Sequence, residues 1–336
     1  MKEALLYQII EGSAVQCALC AHRCVIASGE CGRCGVRRND DGVLHTDAYG
    51  AVVAAHLDPI EKKPLFHFLP GTQSFSFAAI GCNFTCSFCQ NWEISQAKEA
   101  GRLGVQTRVL SPAAIVEQAI ASGAKSISYT YSEPTIFIEY ALETARLAKK
   151  AGLANIFVTN GYMTHEALDL IGPYLDAANV DLKFSDDEKY SLHCSAHLEP
   201  VLQTIQSMKE RGIWVEVTTL VVPGLNDDVS SLSPIAGCIA AVSPEIPWHL
   251  SAFHPDYKLL EAPATPAKSL KRGVDAGKKA CLHYVYTGNI SGGAEDTRCH
   301  ACNALLINRR GFSIAENNIQ KNHCPSCRAK IPGVFI

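Results

Sequence analysis

The 336-residue chain lacks any run approaching the ~18 consecutive apolar residues of a membrane-spanning helix. It also lacks an excess of either charge. Thirty Lys and Arg stand against 33 Asp and Glu, a net charge of −3, which leaves no global bias toward nucleic acid or an anionic membrane. No low-complexity tract interrupts it. The first twelve residues mix Lys2, Glu3, Gln8 and Glu11 with Leu5, Leu6, Ile9 and Ile10. That mixture predicts a short amphipathic helix, without the unbroken apolar core and small-residue cleavage site of a signal peptide. Together these absences predict a soluble, cytoplasmic protein. A hydrophobic content of 47% with 19% charged residues describes a globular chain with a sizeable core, as one large domain with appendages or two ordinary domains.

What is abundant is cysteine. Fifteen would suggest a disulfide scaffold in a short secreted chain, but in an intracellular protein clustered C-x2-C pairs point to metal. Cys17, Cys20, Cys24, Cys31 and Cys34 form one group, Cys82, Cys86 and Cys89 a second, and Cys299, Cys302, Cys324 and Cys327 a third. Cys194, Cys238 and Cys281 stand alone and read as small buried hydrophobes. In the second group the spacing is C-x3-C-x2-C, which can hold three irons of a cubic [4Fe–4S] cluster and leave the fourth open to bind substrate or cofactor. A zinc knuckle with a spare cysteine is the plainer alternative. The apolar run Phe75–Ile80 leads directly into the motif and places it in a loop leaving a strand.

From Phe75 to Thr287, apolar β-branched runs alternate with amphipathic stretches about every thirty residues, the pattern of βα units on a parallel sheet. Strands are expected at Phe75–Ile80, Ser126–Tyr131, Ile156–Thr159, Asn179–Leu182, Trp214–Val221 and His249–Phe253, with Tyr284–Tyr286 as a possible closing strand. Helices are expected at Pro112–Ser122 after the cap Ser111, at Glu139–Ala151 before Gly152, and at His165–Ile171 after Thr164. Six repeats predict an α/β fold with a partial, TIM-like (β/α)6 barrel over residues 71–290. It follows a cysteine-rich, metal-binding subdomain (1–70) and precedes a zinc-ribbon-like tail (291–336). In such a barrel the active site lies at the C-terminal strand ends.

The C-x3-C-x2-C loop resembles that of the radical S-adenosylmethionine (SAM) superfamily. The resemblance implies that the open iron chelates SAM, and that reductive cleavage yields a 5′-deoxyadenosyl radical which abstracts hydrogen from a substrate. After the second strand, Tyr131-Ser132-Glu133-Pro134 resembles the superfamily's Gly-Gly-Glu-Pro, with Ser132 a departure; Glu133 could accept hydrogen bonds from the SAM ammonium. Thr159-Asn160-Gly161 resembles glycyl-radical-enzyme activases, although Asn-Gly also marks any tight turn. In Asp181-Leu182-Lys183, alternation puts the Asp and Lys on one face, where they would pair with each other or hold a cofactor carboxylate. The triplet also resembles pyruvate formate-lyase activating enzyme, and His254 matches a SAM-contacting histidine of that family.

Cys299-x2-Cys302 and Cys324-x2-Cys327, separated by twenty-one residues, fit a closed tetrahedral zinc site, with a rubredoxin-like iron as runner-up. Five basic residues of the tail (Arg309, Arg310, Lys321, Arg328, Lys330) against Glu316 read as a solvated face. The N-terminal group admits more than one pairing and could bind zinc or a second cluster; its sequence distance from the catalytic loop favours structural zinc. Taken together, Leu19-Cys20-Ala21-His22-Arg23-Cys24, Asp58-Pro59-Ile60-Glu61-Lys62-Lys63-Pro64, Cys89-Gln90-Asn91-Trp92 and the tail knuckles resemble the AmmeMemoRadiSam-system radical SAM proteins. That resemblance implies Cys17, Cys20, Cys24 and Cys34 as N-terminal ligands, with Cys31 as the alternate. It also implies a flavodoxin- or ferredoxin-like electron donor and association with Memo-like and AMMECR-like proteins. The expected activity is radical SAM chemistry on a small-molecule or protein substrate, with no membrane and no nucleic acid. Glycyl-radical activation, or a non-enzymatic redox or RNA-binding module, are the alternatives.

Overall fold

The computed structural model describes residues 1–335. Its centre is a nine-stranded mixed sheet of β1 (Ala51–Pro59), β2 (Gln73–Ala79), β3 (Arg108–Val109), β4 (Ser126–Tyr129), β5 (Ala154–Thr159), β6 (Ala177–Asp181), β7 (Trp214–Val221), β8 (Trp248–Ala252) and β9 (Val285–Gly288). The spatial order is β9-β8-β7-β6-β5-β4-β2-β1-β3. Seven strands from β2 to β9 run parallel, while β1 pairs antiparallel with β2, and β3 with β1. The sheet therefore stays open. The Tyr284–Tyr286 run becomes an edge strand beside β8 rather than a closing one, because the opposite edge carries β1 and β3. β1 also carries the sheet into the segment before residue 70.

Central strands are buried on both faces, as parallel strands covered by helices must be. All four residues of β4 and six of seven in β2 are buried. Helices α1 (Pro112–Ala121), α2 (Ile138–Lys150), α3 (His165–Ile171), α4 (Asp187–Cys194), α5 (Leu198–Glu210), α6 (Val229–Val242) and α7 (Ala267–Lys279) fill the connections. Their starts follow local chemistry. Ser111 accepts from the Ala114 amide ahead of Pro112, and Thr164 accepts from the Ala167 amide, each cap contributing about 1 kcal/mol. No helix of the described residues is long and apolar enough to cross a membrane.

The predicted N-terminal helix does not form. Lys2–Glu3 pairs with the hairpin Arg37–Asp40/Val43–Thr46, and Tyr7–Ile9 pairs with Val15–Cys17 in a second small sheet. A helix of twelve residues is marginal by itself, whereas these partners satisfy the same backbone groups. Ile9 is left exposed.

The tail folds as a three-stranded sheet, Thr297–Arg298, Leu305–Arg310 and Ser313–Asn317. Its core is shared: Cys299, Leu306, Ile307, Cys324 and Ile331 pack with Phe66, Tyr284 and Tyr286. Arg309 corrects the expectation of a fully solvated basic face. It is buried, donates to the Phe66 carbonyl at 2.7 Å and lies 3.8 Å from Glu61, so one tail cation is spent on docking. Beneath the sheet, Glu216 accepts from the Phe66 and His67 amides and from His249 at 2.6 Å. The Pro64–Phe68 segment is thereby tied to the strands.

Candidate active site

Cys82, Cys86 and Cys89 lie in the loop that follows β2. Gly81 opens it with φ of +103°, and a Cβ there would meet the Cys34 carbonyl and Val36 at 2.9 Å, so only glycine can make this turn. The loop is held by protein groups. Phe84 packs on Tyr162, Phe88 packs on Phe184, and the Thr85 and Ser87 amides bond the Cys194 and His193 carbonyls. Asn160, at the end of β5, donates to Asn83 at 2.7 Å and approaches the Cys82 sulfur at 3.7 Å. The Phe84 amide lies 3.3 Å from that same sulfur, and Ser95 lies 3.2 Å from the Cys89 sulfur. Burial pushes the Cys82 thiol well up, with Glu133 adding to the effect, and burial likewise raises Cys89. Cys86 moves down, because Cys194 donates to it and Lys183 stands near.

The strand ends bring the other predicted residues to this loop. Asp181 and Lys183 do share a face and pair at 2.8 Å, with Lys183 5.9 Å from the Phe88 ring. Burial works against the charge on Lys183, but Asp181, Cys86 and Cys194 outweigh it and hold the ammonium well above its usual range. Glu133 is buried, and burial raises its pKa. One oxygen accepts from the Thr135 amide and hydroxyl and from Thr159, and the other accepts from the Asn160 amide. This carboxylate thus ties the second strand end to the third. Ser132 donates to the Ala79 carbonyl at 2.6 Å, which joins its turn to the start of the cysteine loop. His254 sits exposed just past β8, stacked on Phe253. The segment after it docks on the same loop: Trp92 donates to Asp256 at 3.1 Å and stacks on Tyr257, and the Lys258 amide bonds the Ser87 carbonyl.

Sequence reading missed Cys194, which from the end of α4 contacts Cys86; only the loop-to-helix packing reveals it. It also gave no role to Asp58 and Lys63, where a buried ion pair at 2.7 Å meets the Tyr131 hydroxyl. Burial lowers Lys63 to about 8, against the pull of Asp58. Tyr131 itself adopts φ of +64°, a conformation that a bulky residue reaches only under strain.

The three cysteine groups differ in how closely their sulfurs approach. In the tail, Cys299 and Cys327 are 3.6 Å apart and Cys302 and Cys324 3.7 Å. Among the described residues these four are the one set of three or more potential ligands whose atoms all fall within 4.8 Å of one another. The Cys82, Cys86 and Cys89 sulfurs do not gather that tightly. Three thiols spaced along one loop could each take a different iron of one cluster.

The radical SAM superfamily model matches residues 79–230, from the end of β2 into α6. The uncharacterized protein MJ0808 of Methanocaldococcus jannaschii is 42% identical over 98% of this chain and 99% of its own length. The isethionate sulfite-lyase activating enzyme of Oleidesulfovibrio alaskensis is 26% identical over 42% of this chain and 46% of that protein. A radical SAM methyltransferase from Sphaerobacter thermophilus superposes with a TM-score of 0.52 at 16% identity, covering 68% of this chain and 71% of that one, which shows the shared fold. The chain carries a radical SAM domain over residues 79–230. It is an enzyme whose family implies a [4Fe–4S] cluster, SAM, a substrate and a reductant.

Proposed function

We propose that the chain cleaves SAM reductively at a [4Fe–4S] cluster held by Cys82, Cys86 and Cys89, and abstracts hydrogen from a small-molecule or protein substrate. The observation that carries this reading is the convergence of Asn160, Lys183 and the segment after His254 on one three-cysteine loop. Bound there, the cluster would supply the open iron and the electron that cleave SAM. Lys183 would offer its half-buried ammonium, oriented by Asp181, to the SAM carboxylate. Glu133 fixes the Asn160 turn, and with Ser132 it would support the amino end of bound SAM. Asn160 keeps the Cys82 side of the loop in place, and His254, exposed past β8, would contact SAM when it is bound. A flavodoxin- or ferredoxin-like donor supplies electrons, and Memo-like and AMMECR-like proteins are the proposed companions in a reducing cytoplasm, which suits fifteen free thiols. The tail cysteines hold zinc, since tetrahedral Zn–S bonds of about 2.3 Å place sulfurs about 3.8 Å apart.

Anaerobic reconstitution followed by SAM and dithionite tests the reading through release of 5′-deoxyadenosine; no cleavage sinks it. Deuterium transfer from candidate substrates into 5′-deoxyadenosine identifies the hydrogen donor. Glycyl-radical activation is a second reading, favoured by the Asp181-Leu182-Lys183 end of β6 and by the similarity to a protein named as a lyase activating enzyme. Its mark is a protein radical on an added partner after turnover.

A further inference from the structure

We propose that Ser95 sets the reduction potential of the catalytic cluster by donating a hydrogen bond from its hydroxyl to the Cys89 thiolate. The inference rests on the function proposed above, in which Cys89 is one of three cluster ligands. Ser95 closes the short helix Trp92–Ser95 that follows the cysteine loop, and it is 3% exposed. Its Oγ stands 3.2 Å from the Cys89 sulfur. Backbone bonds fix it there. The Ser95 amide donates to the Asn91 carbonyl at 2.9 Å, the Gln96 amide to the Trp92 carbonyl at 3.0 Å, and the Gly81 amide, at the start of the loop, returns to the Ile94 carbonyl at 2.9 Å. So placed, the hydroxyl has no solvent to turn to.

The direction of the bond follows from a neighbour. The side-chain nitrogen of Gln96 lies 3.2 Å from the Phe84 carbonyl, which can only accept, so this end of the amide is its donor. The same nitrogen lies 3.2 Å from Ser95 Oγ and gives it the second amide hydrogen. With a lone pair of the hydroxyl committed to Gln96, the hydroxyl hydrogen is left for the sulfur, and a ligating thiolate can only accept it. Gln96 thus polarises Ser95 toward Cys89. Cys82 is served differently, by the Phe84 amide at 3.3 Å, a backbone donor that substitution of the side chain leaves in place. At Cys89 the donor is a side chain, and substitution removes it. Reduction adds one negative charge to the cluster and its thiolates. A hydrogen bond to a ligating sulfur holds the charge of the reduced state better than that of the oxidised state, more so where it is buried, and therefore raises the potential. Ser95 makes the cluster easier to load from a one-electron carrier. Its role needs no contact with SAM or substrate: it is a positioning residue that acts through the sulfur of Cys89. One electron enters, and no bond forms or breaks.

The test is an anaerobic redox titration, followed by EPR, of reconstituted wild type, Ser95→Ala and Ser95→Thr at matched iron and labile-sulfide content. The signal to follow is the one that a Cys82→Ala/Cys86→Ala/Cys89→Ala variant lacks. Ser95→Ala should move its midpoint potential to a more negative value, and Ser95→Thr, which keeps the hydroxyl, should return it toward wild type. A midpoint in Ser95→Ala equal to wild type or more positive overturns the inference. So does a Ser95→Thr midpoint as negative as that of Ser95→Ala, because the shift would then follow packing and not the hydroxyl. Should Ser95→Ala not keep its cluster, Gln96→Leu decides, since it removes the group that turns the hydroxyl toward Cys89 and leaves Ser95 in place. A smaller negative shift there supports the inference, whereas an unchanged midpoint, or loss of the cluster from both variants, overturns it. The readout needs no SAM cleavage. A wild type with no signal that depends on Cys82, Cys86 and Cys89 sinks the cluster reading itself, while a signal that is present but insensitive to Ser95 removes this inference alone.

Discussion

The tail cysteines and the catalytic-loop cysteines are both C-x2-C chemistry, yet the chain treats them differently. In the tail, four sulfurs already converge to zinc-like separations inside a core built partly from the thiols themselves, with Cys299 and Cys324 buried beside Leu306 and Ile331. In the loop after β2, the sulfurs stay apart, and the backbone is held instead by Asn160, Phe84 and the carbonyls of α4. The difference teaches which metal carries the fold. A structural ion replaces a core too small to form alone, so its ligands must meet as the chain folds. A cofactor that does chemistry needs a loop already fixed by other bonds, so its ligands need not meet at all.

The sharpest way to break this comparison is to remove a thiol from each side. Cys82→Ala should abolish 5′-deoxyadenosine release while leaving the thermal unfolding of the protein nearly unchanged; retained cleavage would refute the ligand assignment. Cys324→Ser should do the reverse in kind, losing one zinc and destabilising the protein by several kcal/mol, because the tail core is continuous with Phe66, Tyr284 and Tyr286. Metal analysis with calorimetry reads both effects, and unchanged zinc in Cys324→Ser would count against the tail site.

Acid should probe the seam where the tail meets the sheet. His67, wholly buried, bonds the Tyr286 hydroxyl at 2.6 Å and the Pro332 carbonyl at 2.8 Å. Burial pushes its pKa down to about 4, against the attraction of Glu216. The unfolded histidine binds a proton near pH 6.5 and the folded one does not until about pH 4, so stability falls as pH drops through that window, by about 3 kcal/mol in all. Urea unfolding across pH 7 to 4.5 should show a shallower loss for His67→Gln than for wild type, and equal losses would exclude His67 as the origin. The smallest effect is expected at Asn160. Asn160→Ala removes the bond to Asn83 and costs about 1 kcal/mol of stability. It should slow SAM cleavage at unchanged iron content, whereas full activity would show that the loop does not need this tether.

Much of the site was legible because its signals are local. Thiol spacing, the apolar run into Cys82, the shared face of Asp181 and Lys183 and the caps at Ser111 and Thr164 all depend on residues a few positions apart, and strand and helix periodicity turns such neighbours into neighbours in space. Expectations built on longer reach fared otherwise. The N-terminal helix gave way to strand pairing with residues 15–17 and 43–46, and the seventh strand ended at an open edge.

By itself, then, the sequence determined the βα alternation, the cysteine loop at the end of the first parallel strand, and the polar residues that follow the later ones, because each is written in short spacings that backbone geometry converts directly into position. Tertiary structure alone decided that Cys194 reaches Cys86, that Arg309 is withdrawn from the basic tail to Glu61, and that the N-terminal cysteines lie behind Gly81 although nearly fifty residues separate Cys34 from Cys82. The physical reason is that such contacts are set by which surfaces remain to be buried after the local elements have formed, and no spacing within one segment records what another segment will bring against it.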